Sequence, residues 1–224
     1  MKFFSRPILL AALAIILVAA GVAGGPANPI DAMVIRETAQ WRLSAPGFTQ
    51  FVRSFTDVGG AAVTLSATAL GTLFLLVKRF PVAALLLPAT VIVERLTVDQ
   101  LKDWIDRPRP ALEPLWHLPQ SMAFPSGHAA NSMTAFVAVA VIATAARWRW
   151  AACVAAVILS LLVGLSRVYL GVHWPSDVIG GWAFGLLAVA ISMAVGRRSG
   201  GLPFEPKHDV IGRHLPSPCE DKAS

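Results

Sequence analysis

Long apolar stretches alternate with short polar segments over most of the chain. A helix of roughly 20 apolar residues crosses the hydrocarbon layer of a bilayer. Lipid offers no partner for an unpaired backbone group, so a spanning segment must satisfy its own hydrogen bonds. The pattern therefore predicts an all-α, polytopic membrane helical bundle with about six transmembrane helices. The predicted spans are residues 7–23, 58–77, 82–101, 128–146, 151–165 and 177–195.

Two segments depart from this apolar pattern. In the long loop after the first span, aromatic residues stand among polar ones, which is typical of an interfacial segment lying on the membrane. The polar stretch 199–224 carries prolines and mixed charges and is predicted to be a disordered tail. Residues 1–198 then form one domain, because a bundle of this length shares a single core. The aromatic residues of the loop are Trp41, Phe48, Phe51 and Phe55.

The first span has a second interpretation. Residues 1–6 carry positive charge, and the apolar stretch that follows is short. It ends in the small residues Ala-Ala-Gly-Val-Ala, as in a cleaved signal peptide. A retained transmembrane helix is the preferred interpretation. Neither choice changes the directions of the later spans relative to one another.

Composition and charge agree with a membrane protein. Of the 224 residues, 55% are hydrophobic and 14% are charged, which is too apolar for an ordinary soluble domain. The net charge of +6 would suit nucleic acid, but we expect no such partner, because the basic residues stand in pairs beside the spans. Pairs of this kind typically mark cytoplasmic ends. They are Lys2 with Arg6, Lys78 with Arg79, Arg147 with Arg149, and Arg197 with Arg198.

This charge pattern places both termini in the cytoplasm and the chain in the inner (plasma) membrane of a cell. Three arginines in the first loop, Arg36, Arg42 and Arg53, oppose the orientation, although acidic residues accompany them. The predicted orientation directs the opposite ends of the spans toward the periplasm or exterior.

The third span carries charge in and just beyond its second half, at Glu94, Arg95, Asp99 and Lys102. The last three share one helical face, so we expect Asp99 to neutralise Arg95 and Lys102. One interpretation is a helix end emerging among headgroups with extended side chains. The preferred interpretation is the wall of a polar cavity, because ionisable residues inside membrane spans usually serve a function.

Alternation of the spans directs three polar segments to the same side of the membrane. They are the end of the third span with residues 102–110, the segment 125–128 before the fourth span, and the segment 166–177 between the last two spans. Chemistry that needs all three segments is therefore possible at one membrane surface.

Each segment offers groups suited to an anion. Ser126 and Gly127 stand at a predicted helix start, where backbone N–H groups and the helix dipole favour negative charge, although such a serine is often only a cap. Lys102 and Arg109 supply a point charge and a planar fork for phosphate, or else anchor the helix end. Arg107 between them binds substrate too, or pairs with Asp103 or Asp106.

The last segment places His173 and Asp177 four residues apart at the predicted start of the final span. On adjacent helical turns, the carboxylate can accept the proton of one ring nitrogen and leave the other nitrogen free to attack. An aspartate at a helix start also serves simply as a cap. Both interpretations remain open from this segment alone.

Taken together, the segments resemble the type 2 phosphatidic acid phosphatase superfamily. That family's pattern is a lysine, six residues and Arg-Pro; then Pro-Ser-Gly-His; then Ser-Arg, five residues, His, three residues and Asp. The chain matches it at Lys102 with Arg109-Pro110, at Pro125-Ser126-Gly127-His128, and at Ser166-Arg167 with His173 and Asp177. The family includes membrane lipid phosphate phosphatases, undecaprenyl pyrophosphate phosphatases and soluble vanadium haloperoxidases.

The resemblance implies a role for each matching residue. His173 attacks phosphorus and becomes a phosphohistidine, Asp177 orients it, and His128 is the general acid for the departing lipid oxygen. The phosphoryl oxygens are then held by Lys102, Arg109, Ser126, Gly127 and Arg167. No cofactor and no metal is expected.

The expected activity is hydrolysis of a lipid phosphate or lipid pyrophosphate in the bilayer. By analogy with the family, undecaprenyl pyrophosphate is the leading substrate, with phosphatidylglycerophosphate, phosphatidic acid and lipid A phosphates as alternatives. A haloperoxidase is disfavoured by the apolar spans. A lipid transporter or scaffold without catalysis would fit the spans as well, but it would not need His128, His173 and Asp177 together.

Overall fold

A computed structural model describes residues 7–110, 121–199 and 202–203. The described residues are helical throughout their regular structure and contain no strand, which confirms the all-α bundle. A 3₁₀ turn, Asp57–Gly59, follows the third helix, and a π turn, Val139–Ala143, continues the sixth. The helices are α1 Pro7–Ala23, α2 Pro29–Ser44, α3 Pro46–Thr56, α4 Ala61–Val77, α5 Pro81–Ile105, α6 Gly127–Ala138, α7 Ala146–Tyr169 and α8 Pro175–Arg198.

The long apolar helices match the predicted spans closely. Four helical stretches are long and apolar enough to cross a membrane: Pro46–Val77, Pro81–Ile105, Ala146–Tyr169 and Pro175–Arg198. Two shorter apolar helices, Pro7–Ala23 and Gly127–Ala143, account for the other two predicted spans. The chain is thus a multi-pass membrane protein, and the count of six crossings stays a prediction.

The first loop folds into two helices. Asn28 caps α2, because its side-chain oxygen accepts the N–H groups of Ile30 and Asp31 at 2.9 and 3.1 Å. Proline begins both α2 and α3, a position that needs no N–H donor. On α3, Phe48 and Phe51 are exposed while Val52 is buried, so the helix has one apolar face turned outward. The placement of this face at the membrane interface stays a prediction.

Close packing of α6 against α8 brings the starts of these two helices together. A Cβ on Gly181 would lie 2.7 Å from the Ser126 carbonyl oxygen, and one on Gly185 would lie 2.8 Å from that of Ala130. Real side chains do not tolerate such distances, so glycine is required for this approach. Below this contact, α6 packs on α4, α5 and α7 around a buried apolar core that includes Leu87, Met133 and Met193.

The charged half of α5 differs from the expectation. Asp99 is exposed and makes no ion pair with Arg95 or Lys102 among the described residues. Arg95 instead donates to Thr64 Oγ1 of α4 at 3.1 Å, and Glu94 is buried against the bundle, 1% exposed. The two inward-facing groups, Glu94 and Lys102, are consistent with a polar interior, because side chains that reach for headgroups would point outward.

Three of the basic pairs lie at one end of the bundle. Lys78 and Arg79 follow α4, Arg147 and Arg149 lie in the first turn of α7, and Arg197 and Arg198 end α8. Lys2 and Arg6 lie outside the described residues, as does most of the predicted tail 199–224. The orientation in the membrane and the domain boundary at 198 stay predictions.

The contact of α7 with α8 gives a direct test of the bundle. A Cβ on Gly164 would lie 2.4 Å from Cζ2 of Trp182, whose Nε1 donates to the Ser160 carbonyl at 3.0 Å. We expect Gly164→Ala to destabilise the protein by about 1–3 kcal/mol through overpacking, which thermal unfolding in detergent would detect. Gly47→Ala is the control, since a Cβ there meets nothing within 4 Å. Equal melting temperatures for the two variants would contradict this packing.

Candidate active site

The three polar segments meet at one end of the bundle, as the alternation of spans predicts. The Ser126 N–H donates to the Asp177 carbonyl at 3.0 Å, which joins the start of α6 to the start of α8. The Trp174 indole N–H donates to the Pro108 carbonyl at 2.8 Å, which joins α8 to the segment after α5. These bonds hold all three segments in contact.

His173 lies in a tight turn between α7 and α8. The turn closes through a hydrogen bond from the Val172 N–H to the Arg167 carbonyl, 3.2 Å, and through Gly171, whose φ is +69°. A Cβ on Gly171 would lie 2.8 Å from the Arg42 guanidinium, which donates to the Tyr169 carbonyl. Glycine is needed here for the backbone angle, and a Cβ would in addition displace the guanidinium. The turn buries the imidazole almost completely, 2% exposed.

The two ring nitrogens of His173 face opposite charges. Nδ1 lies 3.5 Å from Asp177 Oδ2, and Nε2 lies 3.0 Å from an Arg109 nitrogen. An arginine can only donate, so Nε2 is the acceptor and the ring proton belongs on Nδ1, facing the carboxylate. The distance of 3.5 Å exceeds that of an ordinary hydrogen bond, and such contacts in unliganded sites often shorten when substrate binds.

Asp177 serves as a cap and as a partner of His173 at once. It occupies the third position of α8, and its Oδ2 accepts the Trp174 N–H at 2.8 Å. Its Oδ1 accepts a hydrogen bond from Arg107, also at 2.8 Å. The two interpretations left open by the sequence are therefore compatible, because the same oxygen that caps the helix also faces the imidazole.

Arg107 corrects one expectation from the sequence. The proposed pairing with Asp103 or Asp106 is wrong, since the guanidinium is buried and forms its ion pair with Asp177 instead. It lies over the Phe124 ring, 4.6 Å from the centroid. Its remaining hydrogen bonds go to Ser176 Oγ at 3.1 Å and to the carbonyls of Ala20 and Gly21 at 2.9 and 2.7 Å.

Asp31 is a second buried acid near the site, and no pattern in the sequence indicates its role. Its Oδ1 accepts the Ser176 N–H at 3.0 Å, and its Oδ2 accepts the Gly25 N–H at 2.6 Å and the Ser176 hydroxyl. The two carboxylate oxygens of Asp31 thus join α2 to the start of α8. No spacing in the sequence connects Asp31 with Ser176, because the contact spans 145 positions.

Five residues predicted to hold phosphate lie near this turn, and Arg109, Lys102 and Gly127 are the first three. Arg109 is fixed by its Nε, which donates to the Ser121 carbonyl at 2.8 Å, and by a contact from its Nη1 to the Val172 carbonyl at 2.6 Å. The Lys102 ammonium lies 3.4 Å from where a Cβ on Gly127 would be. Gly127 therefore leaves open space between the lysine and the start of α6.

Ser126 does more than cap α6. It occupies the N-cap position, but its side chain makes no capping hydrogen bond, and its buried Oγ has no hydrogen-bond partner in the described parts of the chain. Buried hydroxyls are normally paired. This hydroxyl is therefore available to a ligand at the end of α6, where the N–H groups and helix dipole already favour an anion.

Arg167 and His128 complete the cluster. Arg167 is buried and donates to Thr56 Oγ1 at 3.3 Å. His128 is close enough to Arg167, His173, Lys102 and Arg109 for Coulomb interaction with each. All eight predicted site residues therefore lie around one small region, and Thr56 is a neighbour that no motif in the sequence indicates.

The electrostatics of the turn favour an uncharged nucleophile. Burial lowers the pKa of His173 well below its ordinary value, and the nearby charges of Arg109, Arg167 and Lys102 lower it further. Burial also lowers the pKa of Arg109, an effect that Asp177 opposes. A neutral imidazole with Nε2 directed at a cluster of cations can attack the electrophilic centre of a bound anion.

A sequence model of the PAP2 superfamily matches residues 82–200, which is just over half of the chain. The chain belongs to the PAP2 superfamily. The matched region contains α5 to α8 and all eight site residues described above. Within the described residues, no group of three or more His, Cys, Asp and Glu side chains is placed to hold a metal ion.

Relatives and one solved structure agree with this membership. Phosphatidylglycerophosphatase B from Bacillus subtilis is 39% identical over 99 residues, 42% of this chain and 48% of that protein. An undecaprenyl-diphosphatase from Sulfolobus acidocaldarius is 45% identical over 67 residues, 30% of each, and a lipid A 1-phosphatase from Rhizobium johnstonii is 32% identical over 120 residues, 50% of this chain and 47% of that protein. The chain thus matches half or less of the length of these relatives.

The solved structure is described as the first transmembrane PAP2 type phosphatidylglycerolphosphate phosphatase from Bacillus subtilis. It superposes with a TM-score of 0.75 at 26% sequence identity, over 88% of this chain and 98% of that one. The similarity therefore extends beyond the superfamily match to include the helices before residue 82.

The electrostatic environment of His173 gives a pH-dependent expectation. An ordinary histidine has a pKa near 6.5. The imidazole of His173 should stay neutral at pH values below this, where an ordinary histidine becomes protonated. Since the unfolded chain binds that proton more readily, this residue's contribution to stability falls as pH drops below about 6.5. Selective ¹⁵N labelling of histidine and NMR titration would check the neutral state.

Arg109→Gln tests the effect of neighbouring charge on the pKa of His173, because it removes one positive charge beside the imidazole. Its His173 pKa should be higher than in the parent protein, while still lowered by burial. A parent His173 that titrates near 6.5, or a variant with a lower pKa, would contradict the charge arrangement.

Proposed function

We propose that this protein is a membrane phosphatase that hydrolyses the phosphate of a lipid phosphate or lipid diphosphate through a phosphohistidine intermediate. The observation that carries the proposal is the placement of His173: a buried imidazole, with one nitrogen facing Asp177 and the other directed at Arg109. The names of the three curated relatives, all lipid phosphatases, support the same class of activity.

In the first step, Nε2 of His173 attacks phosphorus, and the bond between phosphorus and the lipid oxygen breaks. The Nδ1 proton stays on the ring, and the carboxylate of Asp177 stabilises the positive charge that develops there. The departing oxygen takes its proton from His128, which acts as the general acid. The products of this step are the lipid alcohol, or lipid monophosphate from a diphosphate, and phosphohistidine.

In the second step, water attacks the phosphohistidine and the phosphorus–nitrogen bond breaks. His128, now without its proton, takes one from the water, and the imidazole of His173 is regenerated. Inorganic phosphate is the second product. Phosphoryl transfer of this kind depends mainly on positioning and charge stabilisation.

The basic cluster supplies that stabilisation. Arg109 and Arg167 present planar donors and Lys102 a point charge, so a transferred phosphoryl group with three oxygens meets three cations. The Ser126 hydroxyl and the Gly127 N–H add neutral donors at the positive end of α6. Fixed donors around the reacting group lower the barrier without having to reorganise during the reaction.

The physiological substrate is proposed from the relatives. Phosphatidylglycerophosphate is the first candidate, because phosphatidylglycerophosphatase B and the superposed Bacillus subtilis phosphatase carry that name. Undecaprenyl pyrophosphate, the leading expectation from the family resemblance, is the second candidate and is favoured by the relative from Sulfolobus acidocaldarius, which is named an undecaprenyl-diphosphatase. We place the chain in the plasma membrane with the site outside and the termini in the cytoplasm, because the basic pairs lie at the end opposite the site.

Phosphate release by the purified full chain in detergent tests the proposal. With excess chelator present, we expect release from phosphatidylglycerophosphate, undecaprenyl pyrophosphate, phosphatidic acid or a soluble phosphomonoester, and a loss of about 10³-fold or more in His173→Ala, which lacks the nucleophile.

His128→Ala should keep the ability to form phosphohistidine from a substrate with a good leaving group. Acid-labile labelling from ³²P-substrate would detect that intermediate.

Three results would contradict the proposal. They are activity that requires an added divalent metal, release that persists without His173, and no release from any of these substrates. The last result, combined with movement of labelled lipid between leaflets by His173→Ala, would favour a transporter.

Arg107 should act as a positioning residue for Asp177. Arg107→Gln removes the ion pair and the bonds to α1, so we expect kcat to fall about 10- to 100-fold with KM nearly unchanged, because a buried charged hydrogen bond contributes about 1.5–3 kcal/mol. Arg107→Lys should recover part of the loss. The exposed Arg36→Gln is the control. A change confined to thermal stability, with normal kcat and pH profile, would assign Arg107 a structural role only.

A further inference from the structure

An apolar groove of about 310 Å³ lies between α3 and α7, on the side of the bundle that carries the candidate site. Its walls include Phe48, Phe51 and Phe55 from α3 and Leu162 and Leu165 from α7. The side chains of Phe48, Phe51, Leu162 and Leu165 are exposed, so the groove is open along its length. It extends about 10 Å along α7, from Leu162 to Tyr169 near the helix end.

The inner wall of the groove is hydrogen-bonded to the phosphate-binding region. Ser166 lines the groove, and its Oγ donates to Thr56 Oγ1 at 2.8 Å. The same Thr56 oxygen accepts from Arg167 at 3.3 Å. One threonine at the end of α3 therefore separates the apolar groove from the cation cluster.

The turn that follows α3 also reaches the candidate general acid. A Cβ on Gly59 would lie 3.3 Å from the His128 carbonyl oxygen, 3.4 Å from its ring carbon Cδ2 and 2.3 Å from Val163. Only glycine fits between α6 and α7 at this point. The groove therefore ends within one short turn of the His128 ring.

The chemistry of the reaction determines on which side of the site the lipid chain lies. In an in-line displacement the leaving group departs opposite the nucleophile. His173 is the nucleophile and His128 protonates the leaving oxygen, so the lipid must extend from phosphorus on the His128 side. The groove begins on that side, and a chain that left toward the Asp177 side would meet the buried start of α8.

We propose that the α3–α7 groove binds the hydrocarbon chain that carries the scissile phosphate. The inference rests on the function proposed above and adds where the apolar part of the substrate lies. Apolar walls favour any long hydrocarbon chain, acyl or prenyl, since each buried methylene adds to binding. The aromatic face of α3, where Phe48 and Phe51 stay more than half exposed, thus has a binding partner in the substrate itself.

A second apolar groove serves as the internal control. It measures about 390 Å³ and lies between α4 and α5, where Leu73, Leu76 and Pro88 are among its lining residues. Ile92, its lining residue on α5 nearest to Lys102, precedes that lysine by 10 residues, about 15 Å along the helix, so this groove lies farther from the phosphate region than the first. The control groove is as apolar as the first and lacks the contact with Thr56 and His128.

The experiment compares two phosphatidic acids that differ only in chain length, dioleoyl and dihexanoyl, in mixed micelles with the full-length protein. Leu165→Trp and Leu162→Trp partly fill the α3–α7 groove, and Leu73→Trp partly fills the control groove. We expect both groove variants to lower the ratio of kcat/KM for dioleoyl over dihexanoyl substrate by about tenfold, because displacing about two methylenes costs that much. The Leu73→Trp ratio should stay within about twofold of the parent value.

Unchanged ratios in both groove variants, an equal loss in Leu73→Trp, or a uniform fall for both chain lengths would each overturn the groove assignment. The proposed function is tested separately by the parent protein and His173→Ala. Release of phosphate from dihexanoyl substrate that depends on His173 supports the phosphatase even when the groove assignment fails. Absence of such release from either substrate would remove the phosphatase itself.

Discussion

The buried carboxylate of Asp177 is the interaction on which the geometry of the candidate site depends. A carboxylate cannot stay charged inside a helical bundle without donors on both oxygens. Here one oxygen accepts the Trp174 N–H and faces His173, while the other accepts Arg107. The start of α8, the segment after α5 and the turn carrying His173 are therefore held in one arrangement by a single side chain.

Small residues make this arrangement possible inside a membrane. Helices in lipid gain little from hydrophobic exclusion, so they associate through close backbone contact. Gly181 and Gly185 let α8 approach the backbone of α6, and Gly59 lets the turn after α3 fit between His128 and Val163. The glycines that allow close helix packing also bring the segments that carry the site residues close together.

Periodicity and motif spacing predicted the apolar helices, their alternation and the three polar segments on one side of the membrane, but not α2 and α3 in the first loop. They brought the segments that carry Arg109 and His173 to the same side, because this follows from the direction of consecutive spans. They could not predict the contacts of Asp31, Thr56 and Arg107, since each joins positions that are far apart and leaves no local pattern. Within the described residues Asp99 forms no ion pair with Lys102, although their charges interact at longer range, because helical spacing fixes a face but not the distance between side chains on it.

Arg107 also connects the first helix to the candidate site. Two of its hydrogen bonds end on carbonyls of Ala20 and Gly21, in the last turn of α1. Proteolytic removal of α1 would leave those donors of a buried guanidinium without acceptors, directly beside the carboxylate that faces His173. The hydrogen bonds of Arg107 therefore favour retention of α1, a segment whose composition also fits an export signal.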